Sequence, residues 1–237
     1  MKRIVAYGCS FVQGTGLDPI LTGPSVVHLK SWPFLVGKKL KIDNVLNKGL
    51  GGSSNKYSII KLFNDIANED FSDTLVIFSW TSILRTVFFD TTQKTWQPVM
   101  LNENFSDKKL QTAYSHYYGT IFTDYEATYD LIQQQIFLQS FFKERKIKHI
   151  FVNGVSNAKF DKEDTFLCNL ENMIDKNNYA LGYHDSIVDN ISRNNFKCYD
   201  NYHPNEDGHA HIADQITQFI KTFPEFAEFY TICKDEK

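Results

Sequence analysis

Residues 3–10 read RIVAYGCS, a short and nearly continuous apolar run that ends at Gly8, two residues before Ser10. A run of this length bounded by glycine is typical of a buried parallel strand. A serine just beyond such a strand can present its hydroxyl and its own N–H to one substrate carbonyl. Serine is also common in turns, so Ser10 considered alone is more often structural than catalytic. The stretch therefore predicts a strand and makes Ser10 a candidate that needs partners elsewhere in the chain.

Later segments alternate between strand and helix character. The strand-like segments after the first one are residues 43–47, 74–80, 148–153 and, more weakly, 196–199. Helical spacing of apolar residues is found at 31–40, 125–144, 166–175 and 206–223, with Asn205 as a candidate N-cap of the last helix. Such alternation predicts an α/β fold, a three-layer α/β/α sandwich with a central, mostly parallel five-stranded sheet. Ligands bind at the carboxyl ends of the strands in sheets of this kind.

The length of 237 residues and the lack of linkers or repeats predict one domain over residues 1–237. Residues 86–119 fit the alternation poorly and indicate an insertion, with a lid or substrate-side wall and ordinary surface elaboration as equal alternatives. The aromatic content of 15% is high, and most rings are expected in the core. The cluster Tyr114, Tyr117 and Tyr118 is also more typical of a core, with a stacking role left open.

Charge and cysteine usage exclude several classes of protein. The net charge of −3 and the absence of a dense Lys/Arg run argue against nucleic-acid binding. No stretch of sequence is apolar for long enough to span a bilayer, and the N-terminus does not resemble a signal peptide. The cysteines are scattered without CxxC spacing, which predicts neither a zinc site nor a disulfide framework and favours a reducing, cytoplasmic compartment. They are Cys9, Cys168, Cys198 and Cys233.

The segment 200–208, which reads DNYHPNEDG, is the most informative candidate for chemistry. Asp200 precedes His203 by three residues on a loop fixed by Pro204. A carboxylate so placed can hold one ring nitrogen of the histidine and leave the other facing outward, which is the orientation that a general base needs. A polar surface turn is the alternative interpretation.

Together, Ser10 and this loop resemble the SGNH/GDSL hydrolase family. The stretch Gly8-Cys9-Ser10-Phe11 is similar to the family's Gly-Asp-Ser-Leu block, and Asp200-x-x-His203-Pro204 matches its last block. The second block resembles Asn47-x-Gly49-x-x-Gly52. The resemblance implies a flavodoxin-like sheet, Ser10 as nucleophile, His203 as base, Asp200 as its orienting carboxylate, and Ser10 and Gly52 as N–H donors to the oxyanion.

The third block departs from the family pattern. SGNH proteins usually carry Gly-x-Asn-Asp after the third strand, with the asparagine as an oxyanion donor, whereas this chain has Ser79-Trp80-Thr81-Ser82. Thr81 therefore occupies the asparagine position and becomes the third expected oxyanion donor. Other side chains that could supply the missing donor are Asn55, Arg85 and Asn153.

Other reactive side chains have simpler explanations. Cys9 is expected to point into the core rather than serve as a thiol nucleophile. His209 and His211 lie two residues apart on a predicted helix, so they do not share a face and predict no metal site. No cofactor is implied.

The sequence thus predicts a serine esterase that hydrolyses a small acyl ester through Ser10, His203 and Asp200; an O-acetyl group on a carbohydrate is one such ester. A second hypothesis, prompted by Thr81, is a non-catalytic protein of the same fold that binds a glycan or an acyl ligand. Acyl transfer to an alcohol instead of water is a third. The expected partner is a small-molecule or glycan ester, and the oligomeric state is not indicated.

Overall fold

The computed structural model describes residues 2–17, 27–91, 93–100, 105, 108–155, 160–200 and 202–230. Its strands, in chain order, are β1 (Arg3–Tyr7), β2 (Val45–Asn47), β3 (Thr74–Trp80), β4 (Arg85–Asp90), β5 (Thr95–Met100) and β6 (Lys148–Asn153). Four of them form a parallel sheet in the order β2-β1-β3-β6, and β4 and β5 form a separate antiparallel pair. The central α/β/α sheet is therefore confirmed, but it has four strands in the described residues and not five.

The strands of this sheet are apolar on both faces because helices cover both sides. In β1, Ile4 and Ala6 join the core on one side of the sheet, whereas Val5 and Tyr7 join the core on the other side. All seven residues of β3 are buried, as its continuous apolar run predicts. The register pairs Ile4 with both Val45 and Leu75, which brings the carboxyl ends of the strands to one edge.

The helices form the two outer layers. Helices α2 (Trp32–Leu40), α7 (Ile187–Arg193) and α8 (Glu206–Thr222) pack on one face, and α3 (Asn55–Asn68), α5 (Asp124–Glu144) and α6 (Thr165–Glu171) on the other. The single-turn helix α1 (Ser10–Gln13) follows β1 directly. Asn205 caps α8 by accepting a hydrogen bond from the Gly208 N–H at 3.0 Å, as predicted. Among the described residues, no helix combines the length and the apolar character needed to cross a membrane.

The region predicted as an insertion contains regular structure. The β4–β5 hairpin is followed by α4 (Lys108–His116) and a π-helical turn over Tyr117–Ile121. The hairpin packs against this turn, where the rings of Phe88 and Tyr117 meet edge to face with centroids 5.7 Å apart. The Tyr118 hydroxyl donates to the Leu84 carbonyl oxygen at 2.9 Å. Both strands of the hairpin also contact α3, and β4 lines a cavity together with α3 and α5, so the hairpin lies on the side of the sheet that these two helices cover.

The fifth strand predicted at 196–199 is wrong. The Asn205 N–H donates to the Lys197 carbonyl oxygen and the Tyr199 N–H to the His203 carbonyl oxygen, both at 3.0 Å, so this segment pairs with the chain that follows it. The edge of β6 is instead met by Ala180, whose N–H donates to the Phe151 carbonyl oxygen at 2.9 Å. The hydrogen bonds that a fifth strand would need are thus used to close the loop that carries His203.

The helix predicted at 166–175 is shorter than expected. It ends at Glu171, and Asp175 begins a separate 3₁₀ turn over Lys176–Asn178 by accepting a hydrogen bond from the Asn177 N–H at 3.1 Å. An aspartate that caps the next turn competes with continuation of the helix, and apolar spacing does not reveal this competition.

Buried His209 makes the stability of the protein depend on pH. Its Nδ1 accepts a hydrogen bond from the Trp32 N–H at 3.2 Å, and burial, with smaller contributions from His203 and His28, lowers its pKa to about 3. Histidine in an unfolded chain has a pKa of about 6.5. Between these values the unfolded chain binds a proton that the native protein does not, so stability falls as the pH falls.

We expect His209 to remove about 2 kcal/mol of stability between pH 7 and pH 5. Glutamine at this position can still accept from the Trp32 N–H but does not titrate, so His209→Gln should lose correspondingly less stability over the same interval. Urea denaturation at the two pH values measures the difference. The same substitution at exposed His116 is the matched control and should not reduce the loss. Equal losses in wild type and His209→Gln would contradict the prediction.

Candidate active site

Ser10 lies at the first position of α1, directly after the turn that ends β1. Cys9 is the N-cap in extended conformation, and Gly14 ends the helix in the left-handed region with its N–H donating to the Ser10 carbonyl oxygen. Gly8 adopts a φ of +152°, and a Cβ at this position would lie 2.6 Å from Val12 Cγ2 and 2.8 Å from Ser79 Cβ. Only glycine allows the chain to turn here so close to β3. The turn directs Ser10 toward the carboxyl edge of the sheet and Cys9 into the core, where it is fully buried as predicted.

His203 lies on the loop that is found where the fifth strand was predicted. The backbone pairs Tyr199–His203 and Lys197–Asn205 close this loop at its base. Asp200 stabilises the loop from inside, because its Oδ1 accepts hydrogen bonds from the N–H groups of Tyr202 at 2.9 Å and His203 at 2.7 Å. The same carboxylate is therefore both a turn-forming group and a partner for the histidine ring.

The structure brings Ser10, His203 and Asp200 into one hydrogen-bonded chain. His203 Nε2 lies 2.8 Å from Ser10 Oγ, and His203 Nδ1 lies 2.5 Å from Asp200 Oδ2. The ring of Phe11 packs on the imidazole with centroids 5.2 Å apart. The side chains of His203 and Asp200 are 17% and 50% exposed, so this series of hydrogen bonds extends from the buried Ser10 side chain to solvent.

The charge of Asp200 sets the tautomer of His203. Burial opposes ionisation of the carboxyl, but hydrogen bonds from the backbone and ring of His203 and from the Tyr202 N–H outweigh it and lower the pKa of Asp200. An ionised carboxylate can only accept hydrogen bonds, so the proton of the imidazole lies on Nδ1. The lone pair on Nε2 then faces the Ser10 hydroxyl, which is the arrangement a general base requires.

Asn47 connects the turn that carries Ser10 to the loop after β2. Its Nδ2 donates to the Val12 carbonyl oxygen at 2.6 Å and to Ser31 Oγ at 3.0 Å, and its Oδ1 accepts from the Gly49 N–H at 2.9 Å. A Cβ on Gly49 would lie 2.5 Å from the Gln13 nitrogen, so only glycine lets the two loops come this close. The loop after β2 is thereby fixed beside Ser10.

Two of the predicted oxyanion donors have N–H groups that make no hydrogen bond to the described residues: Ser10 and Gly52. Ser10 is the first residue of a helix, where the backbone N–H has no partner within the helix. Gly52 lies two residues before Ser54, the N-cap of α3. Both groups are thus available to a negatively charged oxygen.

Thr81 lies at the end of β3 and is buried. Asn55 fixes its backbone from both sides, because the Asn55 Oδ1 accepts from the Thr81 N–H at 2.7 Å and the Asn55 Nδ2 donates to the Thr81 carbonyl oxygen at 3.0 Å. Asn153 uses its Nδ2 on the carbonyl oxygens of Tyr183 and Asp185. Both asparagines therefore hold neighbouring backbone groups in place.

Arg85 binds the Thr81 side chain. Its Nη1 donates to Thr81 Oγ1 at 3.0 Å and to the Ser53 carbonyl oxygen at 3.3 Å. The Thr81 oxygen is thus an acceptor for the guanidinium, and its own proton has no acceptor among the described side chains and backbone. From the same hairpin, Met100 Sδ lies 3.4 Å from the position that a Cβ on Gly52 would occupy. The β4–β5 hairpin therefore forms one wall beside the second and third blocks.

The other histidines of the last helix lie apart from this chain of groups. His209 is buried against the Trp32 N–H, and His211 Nε2 lies 3.0 Å from Asn190 Oδ1. Each of these side chains thus has a hydrogen bond outside the Ser10–His203–Asp200 group.

Comparison by sequence finds no matching family model and no matching curated protein. Solved structures do resemble the chain. They include a lipase/acylhydrolase from Enterococcus faecalis, with 13% identity, 94% of this chain and 96% of that chain covered, and a TM-score of 0.51. An alpha/beta hydrolase enzyme from the metagenome of Lake Arreo, Spain, is 14% identical over 92% of this chain and 94% of its own, with a TM-score of 0.50. The chain shares the fold of these two hydrolases.

A member of the lipolytic protein G-D-S-L family from Veillonella parvula is also similar, with 12% identity, 94% of this chain and 100% of that chain covered, and a TM-score of 0.48. Ser10, Gly52 and Thr81 follow the carboxyl ends of the parallel strands β1, β2 and β3, whereas Asp200 and His203 lie on a loop that does not extend a strand of the sheet. Arg85 is one of the three side chains, with Asn55 and Asn153, that the sequence suggested as substitute donors without ranking them. The structure shows that Arg85 is the one that binds the Thr81 hydroxyl oxygen.

Proposed function

We propose that the protein is a serine esterase in which Ser10 is the nucleophile, His203 the general base and Asp200 the group that orients it. The observation that carries this proposal is the continuous hydrogen-bonded chain from Ser10 Oγ through His203 to Asp200, at 2.8 and 2.5 Å. These distances are those of a nucleophile, its base and an orienting carboxylate in acyl-transfer enzymes. The fold shared with lipolytic hydrolases is compatible with this chemistry and does not by itself select it.

The reaction follows from the positions of the protons. Ser10 Oγ attacks the ester carbonyl carbon while its proton moves to His203 Nε2, and the resulting imidazolium is stabilised by Asp200. When the carbon–oxygen bond to the alcohol breaks, His203 returns the proton to the leaving oxygen and an acyl-Ser10 ester remains. Water then attacks that ester with His203 again as base, which releases the acid and restores the Ser10 hydroxyl.

The tetrahedral oxyanion would bind to three donors: the N–H groups of Ser10 and Gly52 and the hydroxyl of Thr81. Arg85 gives the Thr81 hydroxyl its direction, because an oxygen that already accepts from a guanidinium must send its proton elsewhere. The positive charge of Arg85 also polarises that hydroxyl. A threonine held in this way can supply the hydrogen bond that an asparagine provides in other members of the fold.

A fluorophosphonate probe followed by peptide mapping tests the assignment. Labelling at Ser10, together with hydrolysis of p-nitrophenyl acetate, is the expected result. A folded protein that is neither labelled nor active would favour the alternative, a glycan- or acyl-binding protein without turnover. Labelling at a different serine would contradict the proposed nucleophile.

The role of Thr81 gives a separate prediction. Thr81→Val keeps the shape of the side chain and both backbone bonds to Asn55 but removes the hydroxyl, so kcat for p-nitrophenyl acetate should fall about 10²–10³-fold with little change in KM. Thr81→Ser retains the hydroxyl and is the matched control, expected within a few-fold of wild type. Equal kcat values for the valine and serine variants would show that Thr81 does not touch the oxyanion.

We also propose a reducing, cytoplasmic setting. Cys9, Cys168 and Cys198 are free thiols, which supports this compartment. The small acyl ester is proposed as the substrate, with a carbohydrate O-acetyl group as one member of that class.

A further inference from the structure

A cavity of about 370 Å³ lies beside the third block, between the start of α3, strand β4 and the first half of α5. Its volume falls within the range of small-molecule sites, roughly 300–1,000 Å³. Arg85 lines the cavity and, through the same Nη1, contacts Thr81 Oγ1 and the Ser53 carbonyl oxygen. Ser53 follows the proposed oxyanion donor Gly52. The cavity and the proposed catalytic groups are therefore joined by one side chain.

The polar groups of the cavity carry both signs of charge. Lys56 and Arg85 contribute positive charges from one side, and Glu126 and Asp130 contribute carboxylates from α5. Burial raises the pKa of the Asp130 carboxyl, and the neighbouring charge of Glu126 raises it further, whereas Lys56 lowers it. The Asp130 side chain is nevertheless exposed, so a ligand hydroxyl can reach its carboxylate and donate to it.

Gln134 adds a neutral acceptor to the same lining. Its Oε1 is buried and has no hydrogen-bond partner within the part of the chain that the structure describes. A buried amide oxygen without a partner costs free energy, which a ligand hydroxyl would recover. Aromatic surface completes the cavity, since Tyr117 and Phe122 both line it.

Charges of both signs, a neutral acceptor and aromatic rings together indicate which part of an ester substrate the cavity can bind. An aliphatic acyl chain would cover the Glu126 and Asp130 carboxylates and the Gln134 Oε1 without offering them a hydrogen bond. An anion would be repelled by the two carboxylates, and a cation by Lys56 and Arg85. A neutral molecule with several hydroxyls can donate to the carboxylates and Gln134, accept from the cations, and place its C–H face on an aromatic ring.

We propose that this cavity binds the alcohol part of the substrate as a neutral pyranose ring. The inference rests on the proposed esterase activity for its place in the reaction, because the sugar would then be the leaving group next to the oxyanion donors. The site itself is defined by Asp130, Gln134, Arg85 and Tyr117, none of which belongs to the Ser10–His203–Asp200 chain.

Binding of methyl β-D-glucopyranoside, followed by NMR titration of the full-length protein, tests the proposal without requiring turnover. We expect shifts of signals from Gln134 and Tyr117, and a Kd that is about 10-fold or more weaker in Asp130→Asn, which loses the charged acceptor. Asp124→Asn removes an exposed carboxylate from the same helix and is the matched control, with an expected Kd within two-fold of wild type. Hexanoate, used as an acyl-chain probe, should not shift the cavity signals.

Two results would overturn the proposal: no shift of the cavity signals with the glycoside, or equal Kd values in wild type and Asp130→Asn. The outcome is independent of the nucleophile, because Ser10→Ala should bind the glycoside as wild type does. If esters are hydrolysed but the glycoside does not bind, the sugar site fails alone. If the glycoside binds and no ester is hydrolysed, the esterase proposal fails and the sugar site stands.

Discussion

Replacing Ser10 with alanine is expected to lower the rate of p-nitrophenyl acetate hydrolysis by about 10⁴-fold or more. The variant keeps His203, Asp200 and the backbone donors, but no oxygen remains 2.8 Å from His203 Nε2 to attack the ester. What activity persists should come from water that His203 activates and from the oxyanion donors, which act without the nucleophile. Steady-state kinetics measure the loss, and circular dichroism checks that the variant is folded.

The matched control for this prediction is Ser192→Ala. Ser192 lies on α7 and is exposed, so removing its hydroxyl should leave kcat/KM within two-fold of wild type. Labelling by the fluorophosphonate should disappear only in Ser10→Ala. If Ser10→Ala retained more than a tenth of the wild-type rate, the nucleophile would have to be another group.

The strands that were predicted well are those whose local and tertiary preferences agree. The predicted bounds 74–80 and 148–153 are those of β3 and β6. Each contains a short run of consecutive apolar residues that is buried on both faces of the sheet, and such a run can be recognised from the sequence alone. The segment 196–199 also contains apolar residues, but it does not form a strand of the sheet. Its backbone groups pair with residues 203 and 205, and such competition between nearby partners is invisible in hydrophobic spacing.

Elements that were not predicted have weaker local signals. Helix α3 follows a glycine-rich loop, and its polar and apolar residues are closely mixed, although its N-cap Ser54 and the spacing of Ile59, Leu62 and Ile66 are signs of a helix. The β4–β5 hairpin lacks an Asn-Gly or Asp-Gly turn and instead places Lys94 at a φ of +51°. A lysine in the left-handed region is uncommon, so sequence alone gave no reason to expect this turn.

The parts of the candidate site that could be predicted are those whose geometry is set by residues close together in the sequence. Asp200 and His203 are three residues apart, so one loop sets their contact, and the strand–turn before Ser10 places it at the carboxyl edge. The contact between Arg85 and Thr81 depends instead on where a hairpin leaves β3, and the cavity beyond it depends on how α5 packs. Both are long-range consequences of tertiary packing, which no local motif encodes.

Asp200→Asn is expected to lower kcat about 10³–10⁴-fold while leaving the fold intact. The amide oxygen should keep the position of Oδ1, where it accepts from the N–H groups of Tyr202 and His203, so the NH₂ group must face His203 Nδ1. Two donors cannot face each other, which forces the imidazole proton onto Nε2 and leaves no lone pair for the Ser10 proton.

Ester hydrolysis and the rate of fluorophosphonate labelling should therefore fall together in Asp200→Asn, although Ser10 itself is unchanged. Asp70→Asn is the matched control, because Asp70 also accepts from a backbone N–H two residues ahead, that of Ser72, at the opposite edge of the sheet. It should retain the wild-type rate. An asparagine side chain can still accept the backbone hydrogen bonds that form the turn, but it cannot hold the imidazole proton on Nδ1. If Asp200→Asn kept a rate within ten-fold of wild type, the carboxylate would therefore serve only to close the loop.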